Sequence, residues 1–300
     1  MEGVCRLATT TDEDAVRLPA KAWTLIKDTV TNFIDDNALS RGASIAYYTL
    51  FAIAPVLLII VAIAGLALGH DAAEGAIVNQ LGGLMGEATA KAIEEMIKSA
   101  ADRSSGVIAS IIGIGALILA ATGVFGEVQS SLNAVWKAKA RSSTLSRLVR
   151  ARLASLGLVL TSGFLLTVSL AVSAALQGLS KYLEGLFPDS ELTLHVFDFL
   201  ISTALLSAMF AAIYKVLPDK PITWRDVAIG AVVTTLLFDA GKYLIALYIG
   251  QSNIASSYGA AGGLIVLLLW IYYTAQIFLF GAEFSHAYAQ RFGSHAGGVR

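Results

Sequence analysis

Residues 43–68 read ASIAYYTLFAIAPVLLIIVAIAGLAL, 26 positions without one charged side chain. As a helix rising 1.5 Å per residue this stretch reaches roughly 39 Å, more than the ~30 Å hydrocarbon layer of a bilayer. Lipid offers no partner to backbone N–H and C=O groups, so a segment of this kind must pair them internally, and a helix does so. Pro55 near its middle predicts a kink. Five more apolar stretches follow at about 106–125, 153–176, 194–217, 227–249 and 262–284, divided by polar connections. The expected fold is all-α, a polytopic membrane protein of six transmembrane helices.

Composition points the same way. Hydrophobic residues make up 56% of the 300, charged residues only 14%, and mean hydropathy is +0.70, whereas soluble domains are about a quarter charged. With a net charge of −1 there is no global basic field of the kind that holds nucleic acid. The single cysteine, Cys5, has no partner in the chain for a disulfide and reads as an incidental thiol. The first forty residues carry no apolar run of signal-peptide type, so the first span is expected to direct insertion itself.

The organisation expected outside the spans is as follows. Residues 1–18 form a disordered polar tail, and 19–40 form an amphipathic cytoplasmic or interfacial helix. There Trp23, Ile26, Val30, Phe33 and Ile34 recur at helical spacing opposite Lys21, Lys27, Asp28 and Asp35. That helix either lies in the headgroup plane or packs on the protein's own cytoplasmic face. The membrane domain covers 41–288 and includes an outer helical segment at 70–105, where Leu84, Met85, Ala88, Ala92, Met96 and Ile97 make an apolar repeat too polar in context to insert. Residues 289–300 are a cytoplasmic tail.

Lys and Arg placement sets the orientation, because cytoplasmic loops keep an excess of positive charge. On the N-terminal side lie Arg6, Arg17, Lys21, Lys27 and Arg41, then Lys137, Lys139, Arg141, Arg147, Arg150 and Arg152, then Lys215, Lys220 and Arg225, and finally Arg291 and Arg300. These are sixteen of the 21; the opposite side holds Lys91, Lys98, Arg103 and Lys181, and Lys242 sits within a span. Both termini are therefore expected in the cytoplasm, and the whole protein in a plasma membrane. The outer segment carries Asp71, Glu74, Glu87, Glu94, Glu95 and Asp102 and is acidic.

Charges within or beside the spans are the candidate functional residues, since an intramembrane charge costs ~2.5 to 3.5 kcal/mol on insertion scales. Asp239 and Lys242 stand three apart on the fifth span, a spacing that lets them pair. A second group, Arg41, Glu127, Lys215, Arg225 and Glu283, takes one charge from each of five helices near their cytoplasmic ends. In a compact bundle it would form a charged ring in which Glu127 and Glu283 face Arg41 and Arg225; separate charges reaching to headgroups are the plainer reading. Asp198 is the matching outer-side charge. Glycines at 65 and 69, 113 and 115, 123 and 126, and 259 and 263 would let helices approach closely. The uncharged connection from Gln251 to Gly259 reads as a tight hairpin or a partly re-entrant loop.

Soluble-type chemistry is missing. His70 and His195 are assigned outside and His286 and His295 inside, so no metal site is expected from them, and no catalytic residue is proposed. There is no phosphate-cradling Gly loop ending in Lys-Ser/Thr, no cofactor signature, and none of the clustered carboxylates or basic groove that a nuclease needs.

Four strings then carry a resemblance: Ser44-Ile-Ala-Tyr-Tyr-Thr-Leu-Phe-Ala-Ile-Ala-Pro55; Leu132-Asn133-Ala-Val-Trp136; Tyr214-Lys215-Val-Leu-Pro218 with Trp224-Arg225-Asp226 and Gly230-Ala231; and Tyr258-Gly259 through Trp270, Tyr272 and Tyr273 to Gly281-Ala282-Glu283. Together, over roughly residues 20–290, the chain resembles the YihY/BrkB family of bacterial inner-membrane proteins. The resemblance implies a six-helix inner-membrane protein linked to serum resistance, envelope or lipopolysaccharide export and osmotic tolerance. The family's older ribonuclease BN label has no support in these residues. Its pattern falls here on Arg41, Tyr47, Tyr48, Pro55, Asn133, Trp136, Lys215, Pro218, Trp224, Lys242, Trp270, Tyr273 and Glu283.

Two functions fit. One is a secondary transporter or flippase-like protein for an amphipathic or anionic solute, with Asp239, Lys242 and the charged ring as binding and gating groups. The other is a non-transporting envelope scaffold that binds membrane lipids. Its basic segment Lys137–Arg152 has six cations in sixteen positions and suits anionic headgroups.

Overall fold

A computed structural model of the chain describes residues 9–85, 87–102, 123–138, 190–251 and 261–294. Eight helices account for their regular structure: α1 (Thr9–Asp35), α2 (Ala38–Leu68), α3 (His70–Met85), α4 (Glu87–Asp102), α5 (123–135), α6 (Ser190–Val216), α7 (Trp224–Gln251) and α8 (Gly262–Arg291). Most of the stretch at 106–125, the whole of 153–176, the basic segment beyond 138, residues 252–260 and both chain ends lie outside the described residues, as do the side chains of Pro55 and Asp198.

Among the described residues, three helices are long and apolar enough to cross a membrane, over Phe199–Val216, Trp224–Tyr248 and Gly262–Arg291. The stretch 43–68 falls wholly on α2, which continues through Pro55. Two helices differ from the sequence expectation at their ends. The helix expected from residue 19 already begins at Thr9. At the other end, α8 runs past 284 to Arg291. Apolarity fades there, but Ala287 and Ala289 stay buried against neighbouring helices.

Helix α8 is the axis of the described bundle, touching α1, α2, α3, α4 and α7. Its first half contributes Leu267 and Trp270 to a core with Leu57 and Val61 of α2, Ala73 and Ile77 of α3, Ile93 and Ile97 of α4, and Ile245 of α7. The segment after the first stretch therefore forms two helices whose apolar faces are built into the bundle. On the solvent side of α4, Glu94 pairs with Lys98 and holds its ammonium above the usual lysine range. The second half of α8 packs Phe278, Leu279 and Ala282 on Leu132, Val135 and Trp136 of α5 and its end, Phe210 and Tyr214 of α6, and Val227 and Ala231 of α7.

Small residues bring α7 and α8 together. A Cβ on Gly230 would lie 2.5 Å from that of Ser285, and one on Gly281 would collide with the Thr234 hydroxyl. Into this crossing Tyr214 of α6 sends its hydroxyl, which donates to the Phe278 carbonyl at 2.6 Å and meets Thr234 Oγ1 at 2.9 Å. Of the glycines singled out in sequence, Gly123 packs under the Tyr48 ring, at 2.9 Å from an added Cβ. Gly69 has another role: with φ of 85° and nothing near a Cβ, it is the turn between α2 and α3, a conformation glycine adopts freely.

The crossing makes a paired prediction. Gly281→Ala overpacks it and should lower stability by ~1 to 3 kcal/mol. Gly126→Ala, in an open helical position, should raise it by ~0.5 to 1 kcal/mol. Thermal melts of the detergent-purified variants check both signs.

Candidate functional site

The intrahelical pair comes first. On α7, Lys242 Nζ donates to Asp239 Oδ1 at 2.8 Å, with the side chains 27% and 16% exposed. Lys242 also lies 5.5 Å from the Tyr243 ring centre. Between the two charges Gly241 leaves room for the Tyr273 hydroxyl and Ile277 of α8, so the pair borders the α7–α8 contact.

The five residues proposed as a ring are not joined by ion pairs to one another. Arg41 Nε donates to the Asp36 carbonyl at 2.9 Å. Lys215 reaches the Ile222 carbonyl and sits 5.9 Å from the Trp224 ring centre, while Arg225 is exposed and Glu127 half-buried. Each cation near a helix end has a backbone acceptor or solvent at hand, and a shared level along the bundle does not make helices turn their charges toward each other. Glu283 is the exception in burial, with no exposed surface.

What the fold does assemble is a polar cluster at the end of the bundle marked by the C-terminus of α8. Asp36, in the turn between α1 and α2, binds Lys137 through Oδ1 and lies against the Glu283 carboxyl. Both flanking turns take left-handed backbone: Asn37 at φ 55° and Lys137 at φ 48°. For Asn37 this is an ordinary helix-ending conformation. Lys137 is unusual, closing α5 where glycine normally stands; the closing bonds, Lys137 N to Ala134 O at 3.0 Å and Ala138 N to Asn133 O at 2.8 Å, present its ammonium to Asp36. Beside it the buried Trp136 ring packs on His286, centroids 5.2 Å apart, and Gln290 lies 3.0 Å from His286 Nε2.

Two further contacts pin the cluster. Asn133 donates to Asp219 Oδ2 and accepts from the Asp219 N–H, both at 2.8 Å, and Gln129 adds a bond to Oδ1 at 3.3 Å. Fully buried Asp226, in the first turn of α7, accepts from Thr223 Oγ1 at 2.6 Å and from Ser294 Oγ at 2.5 Å, while Ser285 donates to its carbonyl at 2.7 Å. Gly293 admits this approach, because a Cβ there would collide with Asp226 Oδ1.

The residues named from the family pattern divide by place. Trp136 and Trp270 are buried, Pro218 is buried beside the Asp219 clamp, and Tyr273 is half-buried. Tyr47, Tyr48 and Trp224 are 59%, 43% and 60% exposed, and Tyr47 stacks edge-on with Tyr48 and Phe51. Asp36, Lys137, Asp219 and His286 were not selected in sequence as site residues. The partners of Asp36, Lys137 and Asp219 are remote in the chain, and the signals that pointed toward this end were Glu283 of the charged ring and the Asn133 and Trp224-Arg225-Asp226 motifs. Among the described residues no group of three His, Cys, Asp or Glu side chains is placed to hold a metal ion.

A helical bundle with membrane-length helices and its buried ionisable groups gathered at one end is a membrane protein. The chain belongs to the family described as Virulence factor BrkB, whose model matches residues 29–298. It is similar to UPF0761 membrane proteins: 26% identical over 89% of the chain to one from Rhodospirillum centenum, 25% over 93% to one from Vibrio vulnificus, and 33% over 65% to one from Klebsiella pneumoniae. The chain spans 58% of the length of the R. centenum relative and 87% of the V. vulnificus one. No solved structure matches it.

The Asn133–Asp219 clamp yields a prediction. Asn133→Ala removes both reciprocal bonds and leaves a half-buried carboxylate short of donors, so stability should fall by ~1 to 3 kcal/mol. Asn133→Asp should fall further through like-charge contact. Chemical denaturation in detergent, read by tryptophan fluorescence, ranks the two.

Proposed function

We propose that the protein is an inner-membrane secondary transporter or flippase-like protein for an amphipathic or anionic solute, with six spans, both termini cytoplasmic and no catalytic chemistry of its own. The observation that carries this reading is the Asp239–Lys242 pair on a helix of membrane length. An ion pair at that depth is retained against the apolar alternatives that lipid favours, and such pairs mark solute or ion pathways by default. Neither partner is fully buried. The buried charges at the α8 C-terminal end then lie at the cytoplasmic mouth, and membrane lipids, with anionic headgroups on Lys137–Arg152, are the standing partners.

One observation favours a second reading, the non-transporting envelope scaffold. Trp23, Ile26, Val30 and Ile34 are 69%, 47%, 42% and 63% exposed along one stripe of α1. A different face of that helix packs on α8 through Phe33 against Phe280 and Asp28 with Arg291. The stripe offers lipid or a partner protein an apolar surface.

Two measurements test the transport reading. In liposomes, Asp239→Asn/Lys242→Met removes the charges without stranding either one. Flux across a panel of amphipathic and anionic solutes should drop roughly tenfold or more, equivalent to ~1.4 kcal/mol or more on the rate-limiting barrier, and equal flux removes the pair from the mechanism. For topology, Cys5 is the chain's one cysteine, so a Cys5→Ser background reports single introduced thiols cleanly. Ser99→Cys should react with an impermeant maleimide in intact spheroplasts, and Phe292→Cys only after permeabilisation.

A further inference from the structure

Glu283 has no exposed surface, no donor group reaches either of its carboxylate oxygens, and its carboxyl lies at hydrogen-bonding distance from that of Asp36. The charged groups acting on it are Asp36, of like sign, and Lys137. Asp36 gives Oδ1 to Lys137, while its Oδ2 is buried and receives no donor group. Three buried carboxylate oxygens, from the α1–α2 turn and from α8, thus share one ammonium, and that ammonium is half out in solvent, 54% exposed against 11% for Asp36.

The other titratable groups near this end have contacts of their own. Arg41 donates to the Asp36 carbonyl, His286 packs on Trp136 and contacts Gln290, and Asp226 is held by Thr223 and Ser294. Two carboxylates and one lysine leave a net charge of −1 in a water-poor place, an arrangement that costs several kcal/mol unless a further positive charge enters. The deficit of one charge argues against a divalent ion and for a monovalent one.

We propose that Asp36, Lys137 and Glu283 form a binding site for one small monovalent cation, a proton or a sodium ion, held between Asp36 Oδ2 and the Glu283 carboxylate. Occupancy ties the α1–α2 turn, the end of α5 and the C-terminal part of α8 into one unit. This site stands independently of whether the protein transports, because a ligand that binds only the folded state stabilises it by mass action.

The test is the melting temperature of the full chain in detergent, first in sodium chloride against choline chloride at fixed pH and ionic strength, then in sodium-free buffer from about pH 8 to about pH 6. The wild type should rise by roughly 3–8 °C in one of the two titrations. A response to sodium identifies a sodium site, and a response to pH alone a proton site. Glu283→Gln and Asp36→Asn each remove the charge deficit, so each should lose the response while still folding; where one fails to fold, the other is read. A wild type flat in both titrations, or variants that keep the full wild-type response, overturns the proposal.

Discussion

The close approach of α7 and α8 is the contact on which the rest of the described structure depends. Gly230 and Gly281 remove the side chains that would hold the helices apart, and the space is filled by Ser285, Thr234 and the Tyr214 ring from α6. In a bilayer there is little hydrophobic drive between helices, since lipid tails are as apolar as leucine, so close packing and interhelical hydrogen bonds must do the joining. Hydroxyls that hydrogen-bond at home, as Thr234 does to the Gly230 carbonyl at 2.7 Å and Thr235 to that of Ala231 at 2.9 Å, can line such a crossing without leaving an unmade bond.

With α8 fixed in this way, its two halves do different work. The first half buries apolar surface under the α3–α4 cap. The second half carries Glu283, Ser285 and His286 into contact with α5, α7 and the α1–α2 turn, and there the bundle holds its buried ionisable groups. Lys137 shows how the site is built: an unfavourable left-handed backbone, costing roughly 1–2 kcal/mol for a residue with a Cβ, ends α5 at the point where its ammonium meets Asp36.

The sequence was legible where information is local. Long, mostly apolar runs marked 194–217, 227–249 and 262–284, and each falls on a single helix to within a residue because lipid-length apolarity leaves few alternatives to one. The Asp239–Lys242 contact was legible because three residues apart on a helix is a geometric neighbour. Helix ends were less so: α8 outruns its apolar stretch because the neighbours that bury Ala287 and Ala289 are invisible along the chain. The members of the charged ring have separate contacts for the same reason. Arg41 and Lys215 found backbone carbonyls within a few residues, whereas Glu283 met Asp36, which is bonded to Lys137 101 positions along the chain. No periodicity encodes a meeting of that kind, nor the 86-residue separation of Asn133 and Asp219.

The account's central claim is that the far end of α8 is held by protein packing, with its polar cluster locked rather than frayed. Hydrogen–deuterium exchange of the full chain in lipid nanodiscs tests it most directly, because Ser285, His286, Ala287 and Ala289 lie past the 262–284 stretch and are buried by neighbouring helices. The amides of 285–290 should exchange slowly, with protection well above that of the exposed part of α1. Exchange there as fast as in the first turns of α1 would contradict the account.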